Sequence, residues 1–132
     1  MNYLTLAEVI AIHEFVMLGF GLPPNPIRDE GALESAIARA RMVGYYEGAD
    51  LLRQSALMAI GISQAQAFLD GNKRTAFLAM DTFLEANGHQ FTGERLELAH
   101  QLEIVAERTG ERAAAEDAFE AWLRERVAAC GE

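Results

Sequence analysis

The sequence predicts an all-α fold, a compact bundle of about six helices. Apolar residues recur at the helical period along most of the 132 residues, and no segment shows a convincing strand alternation. Two neighbouring segments, 55–62 and 75–80, are apolar almost all round, as in helices at the centre of a core. A short turn joins them, so we expect a central antiparallel helix hairpin.

Length and composition indicate one globular domain over residues 1–132. The chain is 51% hydrophobic and 23% charged, and it is long enough to bury a core without disulfides or metal. Its single cysteine, Cys130, has no Cys or His companions for a zinc site, so we expect a cytoplasmic protein. No secretory signal or membrane span is visible, because Glu8, His13 and Glu14 interrupt the partly apolar N-terminus.

The charge balance is acidic, with 20 Asp and Glu against 11 Lys and Arg and a net charge of −9. Broad binding to nucleic acid or to an anionic membrane requires a positive field, so neither is an expected partner. A local phosphate site is compatible with this charge, since it needs only a few cations and oriented N–H groups.

The first two helices have clear boundaries in the sequence. The first is predicted to begin at Thr5, where Glu8 completes a capping box, and to end in GLPPNPIRDEG, residues 21–31, which contains three prolines. Its apolar face comprises Leu6, Val9, Ile10, Ile12, Phe15 and Val16. The second is predicted from residue 29 or 30 to Arg41, followed by a connecting loop, VGYYEGAD, at 43–50. Its buried face comprises Leu33, Ala36, Ile37 and Ala40.

Four more helices follow. Asp50 can cap the third, and the fourth is predicted over about 72–87 with Gly88 as its stop. Two outer helices are predicted over roughly 94–108 and 113–128. Their inward residues are Leu96, Ala99, Leu102 and Val105 in the first and Phe119, Trp122, Leu123 and Val127 in the second.

The hairpin turn lies in QAQAFLDGNKRTA, residues 64–76, and it carries adjacent cations in an acidic protein. With Asn72 as N-cap, the N–H groups of Lys73, Arg74 and Thr75 would point out of the first helical turn. Together with the positive end of the helix dipole, they would form an anion site. Gly71 lacks a Cβ and would let a bulky anion approach the backbone.

The cations themselves support the same interpretation. Arg74 can grip a phosphate with two hydrogen bonds, and Lys73 adds a point charge. A cation in the first turn of a helix interacts unfavourably with the helix dipole, at a cost of about 0.3–1 kcal/mol each. Two cations at this position are explained if the site binds a polyanion. Asp70 would then hold a divalent cation, Mg²⁺, that bridges phosphates. The alternative is a solvated surface turn, with Phe68 as a core anchor.

The turn resembles the signature of the Fic/Doc family in its Doc (death-on-curing) branch, which reads H-P-F-x-D-G-N-K-R-T-A. Residues 68–76 read F-L-D-G-N-K-R-T-A. Residues 28–36, with R-D and then L-E-S-A, are similar to the upstream R-D-x-x-L-L-E-S-A segment. Residues 83–88 are similar to the F-L-x-x-N-G ending, and the match extends over roughly residues 4–125.

This resemblance implies a compact all-α fold with the motif between two central helices, and a toxin of a toxin–antitoxin pair. It implies ATP-dependent phosphorylation of a threonine in translation elongation factor Tu, with an antitoxin as a further partner. Asp70 would hold the metal, and Asn72, Lys73 and Arg74 the nucleotide phosphates. The nucleotidyl-transferring branch has Gly where this chain has Lys73, which disfavours nucleotidyl transfer (AMPylation).

The chain departs from the signature at its first two positions. Gln66 stands where the family has its catalytic histidine, and Ala67 where it has proline. A glutamine amide can orient a hydroxyl but does not accept a proton near neutral pH. Loss of a general base typically lowers a rate by about 10²–10⁴-fold, although a loose phosphoryl transition state depends less on it. We therefore expect either an impaired kinase or an inactive protein that binds nucleotide or an antitoxin.

No other histidine is an evident replacement. His89 follows the fourth helix, roughly 20 Å from the turn at 1.5 Å per residue. His100 belongs to an outer helix. His13 lies where many family members carry a histidine, and a lone histidine in such a helix is typical of a hydrogen-bonded core residue.

Overall fold

The computed structural model describes residues 1–23, 26–108 and 110–130. Within these ranges the fold is all-α, six helices and one very small sheet, which confirms the predicted class. That residues 1–132 form a single domain stays a prediction. The helices are α1 (Leu6–Gly19), α2 (Glu30–Glu47), α3 (Leu51–Ala65), α4 (Asn72–Ala86), α5 (Arg95–Ala106) and α6 (Arg112–Arg124). The strands are β1 (His89–Phe91) and β2 (Val127–Ala129).

Side-chain caps fix the starts of the first three helices. Thr5 and Glu8 form the predicted capping box of α1. Asp29 accepts a hydrogen bond from the N–H of Ala32 at the start of α2. Asp50 accepts one from Arg53 N–H at the start of α3. The predicted stop after α1 is confirmed by its end at Gly19, while Pro24 and Asn25 of the proline segment lie outside the described residues.

Helices α3 and α4 form the predicted central hairpin. Ten residues of α3 are buried, and α3 packs against α2, α4, α5 and α6. Because one turn of chain joins the two most buried helices, the motif lies at one end of the core. Within the described ranges, no helix has both the length and the hydrophobicity needed to span a bilayer.

The predicted loop at 43–50 was wrong, because α2 continues to Glu47. In the sequence, Gly44 suggested an interruption of the helix, but this residue lies inside α2. A Cβ at this position would collide with the buried amide of Gln54 in α3, so the glycine allows the two helices to pack closely. The helix ends at Gly48, which adopts the left-handed conformation (φ +67°).

The sequence also missed the small sheet. Strands β1 and β2 pair antiparallel, with Gln90 opposite Ala128. The prediction of a last helix to residue 128 was wrong, since α6 ends at Arg124 and Val127 belongs to β2. Three-residue strands are too short for an alternating pattern to show.

Two predicted inward residues face solvent. Phe15 of α1 is 69% exposed and Leu96 of α5 is 77% exposed. In α5 the buried positions are Leu98, Leu102 and Val105, so the helix is rotated from the predicted face. The buried residues of α1 are Val9, His13, Val16 and Met17.

Arginine–carboxylate pairs attach α6 to the rest of the bundle. Arg39 of α2 makes two hydrogen bonds, 2.8 and 3.0 Å long, to the buried Glu116 carboxylate. Arg124 makes two hydrogen bonds to Asp50, 2.9 and 3.1 Å long, at the start of α3. Both pairs are bidentate, the geometry in which a guanidinium holds a carboxylate most firmly.

Candidate functional site

The motif turn opens onto a depression of about 440 Å³ at the N-terminus of α4. Six of the seven predicted site residues line it, together with Phe20 and Leu69. These six are Gln66, Asp70, Gly71, Asn72, Lys73 and Arg74. The fold therefore brings a carboxylate, two cations and a helix start together on one open surface.

Asn72 holds the turn from within, and the prediction that it caps α4 was wrong. The N-cap residue is Gly71, and Asn72 is the first helical residue. Its side chain instead accepts from Phe68 N–H (3.1 Å) and donates to the Phe68 carbonyl (2.8 Å). This local pairing fixes the backbone of the turn and leaves the helix start without a side-chain cap.

The free N–H groups at the helix start are fewer than predicted. The N–H groups of Lys73 and Arg74 have no acceptor among the described residues, so they are open to a ligand. The N–H of Thr75 donates to the Gly71 carbonyl (2.9 Å), and the Thr75 side chain is fully buried. The prediction that Thr75 N–H is a free donor was therefore wrong, and a role for Thr75 in ligand binding stays a prediction.

Gly71 is required by packing and by its backbone angle. Its φ is +82°, a conformation that favours glycine. A Cβ there would lie 3.3 Å from Met17 Sδ and 3.4 Å from Val16 Cγ1, both on α1. The missing Cβ thus points toward α1, whereas the sequence suggested that it opens the turn to an anion.

Neighbouring side chains hold both cations. Lys73 Nζ lies 2.6 Å from Glu103 Oε1 on α5, and both side chains are about half exposed. The hydrogen bond and charge of Lys73 lower the pKa of Glu103. The Arg74 guanidinium lies 5.7 Å from the ring centroid of Phe20, a cation–π contact. A bound anion would compete with Glu103 for Lys73.

Asp70 offers one exposed carboxylate at the edge of the depression. The described residues contain no group of three or more His, Cys, Asp or Glu placed to hold a metal. The residues present fit one common kind of Mg²⁺ site, in which a single protein carboxylate binds the ion and substrate phosphates and water supply the other ligands. Asp70 is therefore the one candidate magnesium ligand in the depression.

His13 is a structural core residue, as the sequence indicated. It is buried, and its ring stacks on Phe68 with centroids 3.6 Å apart and planes 5° apart. Its Nε2 donates to the Asp70 carbonyl at 2.9 Å. His13 thus holds the metal-ligand candidate in place through its backbone. His89 lies in β1 beyond the far end of α4, and His100 is exposed on α5.

Gln66 ends α3 in the left-handed conformation, with φ of 50°. Its side-chain amide donates to the Ser63 carbonyl (3.0 Å), which turns the amide back onto α3. Asn72 Nδ2 lies 3.5 Å from Gln66 Oε1, a long contact. The residue at the position of the family's base is therefore engaged with its own helix.

Arg28 supports the motif from outside the depression, and the sequence interpretation gave it no role of its own. Its guanidinium donates to the Gln66 carbonyl (2.9 Å), and its backbone N–H donates to the Ala67 carbonyl. Ala67 is fully buried. The segment that leads into α2 thus contacts the first half of the motif, and the signal for this contact in the sequence was the R-D pair of the family resemblance.

A comparison with known protein families gives a match that contains the motif turn. The family model described as "Fic/DOC family" matches residues 3–84, more than half of the chain. The chain belongs to the Fic/DOC family. The matched residues run from the start of α1 almost to the end of α4 and include the whole motif turn.

A curated relative supports the Doc branch of the Fic/DOC family. The chain is 38% identical over 72 residues to the "Toxin Doc" of Mycolicibacterium smegmatis. This alignment covers 52% of the chain and 54% of that protein. The chain thus matches about half the length of this relative.

Proposed function

We propose that this chain is a Doc-type toxin of a toxin–antitoxin pair that transfers a phosphoryl group from ATP to a protein threonine. The proposed substrate is elongation factor Tu, and the proposed rate is low because Gln66 replaces the histidine. The observation that carries the proposal is the single depression that combines Asp70, Lys73, Arg74 and the start of α4. The similarity to a Doc toxin supports it.

The residues of the depression suit phosphates. Lys73 and Arg74 offer side-chain cations and two open backbone N–H groups to a polyphosphate. Asp70 would hold Mg²⁺, which would offset the negative charge of the phosphates and so reduce their repulsion of an attacking hydroxyl. Asn72 and His13 position this surface through the Phe68 and Asp70 backbone.

The proton of the attacking hydroxyl limits the reaction. The threonine oxygen would form a bond to the γ-phosphorus, the bond from that phosphorus to the bridging oxygen would break, and ADP would leave. Gln66 cannot take the hydroxyl proton, which would have to pass to a phosphate oxygen or to water. The Ser63 carbonyl also holds the Gln66 amide, so we expect transfer about 10²–10⁴-fold slower than with a histidine.

The test is phosphorylation of purified elongation factor Tu by the wild-type chain and by Gln66→His, with γ-labelled and α-labelled ATP in parallel. Transfer of γ-label that rises in Gln66→His supports the proposal. Gln64→His, two residues earlier on α3, is the matched control and should not raise transfer. If Gln66→His transfers no label, the kinase assignment is refuted, and transfer of α-label would show nucleotidyl transfer instead.

The hydrogen bonding of Gln66 favours a second candidate function. Its amide donates to the Ser63 carbonyl of α3, and the neighbouring Ala67 is buried, so neither of the first two motif positions presents a general base to the depression. This arrangement suits a non-catalytic module that binds nucleotide or an antitoxin. Mg-ATP binding by calorimetry without transfer by either variant would support it, and transfer by the wild-type chain would rule it out.

A further inference from the structure

The backbone at position 66 adopts a conformation that residues other than glycine rarely tolerate. Gln66 has a φ of 50°, and within the described ranges it is the one non-glycine residue at positive φ. This conformation brings Cβ close to the following carbonyl oxygen, so a side chain stays there only where the surrounding structure holds it. Strain of this kind is concentrated at functional sites, and Gln66 occupies the position of the family's base.

Three donors from two consecutive residues hold the carbonyls of positions 66 and 67. The Arg28 guanidinium donates to the Gln66 carbonyl at 2.9 Å. The N–H groups of Arg28 and Asp29 both donate to the Ala67 carbonyl, at 2.6 and 3.2 Å. We call these three hydrogen bonds the 28–29 clamp. The Arg28 charge also lies at the C-terminal end of α3, where the helix dipole favours a cation.

The clamp is anchored on a packed helix. Asp29 is the N-cap of α2, and its carboxylate accepts a hydrogen bond from the Ala32 N–H at 3.0 Å. Leu33 and Ala36, in the first two turns of α2, are buried in the core. The carbonyls at 66 and 67 can therefore move only if the clamp breaks or if α2 moves with them.

We infer that Arg28 is a positioning residue for the proposed transfer. It holds position 66 at positive φ and so fixes the direction in which the side chain at this position leaves the backbone. This inference rests on the proposed function, and it adds a residue outside the depression that sets the geometry inside it. Gln66 makes little use of this geometry, because its amide donates to Ser63 and accepts no proton. A histidine at position 66 would depend on it.

The first test measures the backbone angle on the full chain without nucleotide. The one-bond Cα–Hα coupling of residue 66, measured by NMR, distinguishes positive from negative φ. It should report positive φ in wild type and in Arg28→Lys, which keeps a donor, and should shift in Arg28→Met, which keeps the stem only. Arg41→Met, about 20 Å further along the chain on α2, removes the same charge and should leave the coupling unchanged. An unchanged coupling in Arg28→Met would overturn the inference.

The second test asks whether this conformation serves transfer. In the Gln66→His background, Arg28→Met should lower kcat for γ-label transfer about ten- to hundredfold with KM for ATP unchanged, because the introduced imidazole loses its alignment. In the wild-type background the same change should alter the rate less than about twofold, since Gln66 accepts no proton. Equal losses in both backgrounds would indicate a purely structural role and overturn the inference. If Gln66→His transfers no label, the proposed function fails, and the NMR coupling alone decides whether Arg28 holds position 66.

Discussion

Gly71 shows how one residue couples the motif to the core. We predict that Gly71→Ala destabilises the fold by more than about 1–2 kcal/mol, the usual strain of an alanine at positive φ. The extra loss arises because the new methyl group would lie 3.3 Å from Met17 Sδ and 3.4 Å from Val16 Cγ1. Urea unfolding followed by circular dichroism measures the effect.

Gly88 provides the matched control for this prediction. Its φ of +79° resembles that of Gly71, but nothing lies within 4 Å of an added Cβ. Gly88→Ala should therefore lose the strain energy alone. Equal losses in the two variants would show that contact with α1 does not explain the need for glycine at position 71.

At this scale the sequence predicted which residues meet, but not which atoms bind. Six of the seven site residues line one depression because they are neighbours in a short turn. The pairing of Asn72 with Phe68 was not predictable, since the same side chain can cap a helix or bond back into the turn. The Arg28 contact spans 38 positions, and no local pattern encodes it.

The contact between α4 and α5 controls the proposed phosphate site. We predict that Glu103→Gln raises the affinity for Mg-tripolyphosphate about two- to fivefold, the range expected for an exposed ion pair. Glu103 competes for the Lys73 ammonium, and the variant removes that competition. Calorimetry at low ionic strength is the measurement.

Glu97→Gln is the control for this element. Glu97 is exposed on the same helix, and the variant removes the same charge without touching the Lys73 pair. Its affinity for tripolyphosphate should stay near that of wild type. If the two variants behave alike, the change reflects net charge rather than release of Lys73.

Elements were predictable where the pattern is local and strong. The all-round apolar segments located the central hairpin, and capping residues located the starts of α1, α2 and α3. The end of α2 was missed because Gly44 serves packing against Gln54 rather than a turn. The strands were missed because β1 is completed by a partner about 40 residues away, which no local window contains.

On the scale of the whole molecule, ion pairs between arginines and carboxylates attach α6 to α2 and α3, and these pairs require ionised carboxylates. Burial alone would raise the pKa of Glu116, but hydrogen bonds from Arg39 and Arg112 lower it overall. The Arg124 hydrogen bond lowers the pKa of Asp50. A carboxylate with a lowered folded pKa stabilises the fold above its unfolded pKa, and this contribution is lost as pH falls through the folded value.

We therefore predict that Tm falls as pH drops below the ordinary values of these groups, 4.5 for Glu and 3.8 for Asp. Glu116→Gln should lower Tm at pH 7, because two arginines lose an ionised partner. The difference from wild type should shrink toward pH 3. A constant difference across this range, measured by scanning calorimetry, would contradict the role of ionisation.

Asp81, in the middle of α4, should have the opposite effect on the pH dependence of stability. Burial, and then the charge of Glu85, raise its pKa above the ordinary value, although a backbone hydrogen bond from Phe91 lowers it in part. Because the pKa of Asp81 is higher in the folded than in the unfolded state, the contribution of its protonated form to the stability of the fold is lost as pH rises through the folded value. Asp81→Asn should therefore raise Tm at pH 7 and lose this advantage at acid pH. Opposite pH slopes for Asp81→Asn and Glu116→Gln would show that individual environments, rather than the net charge of −9, govern the acid response, because each variant removes one negative charge.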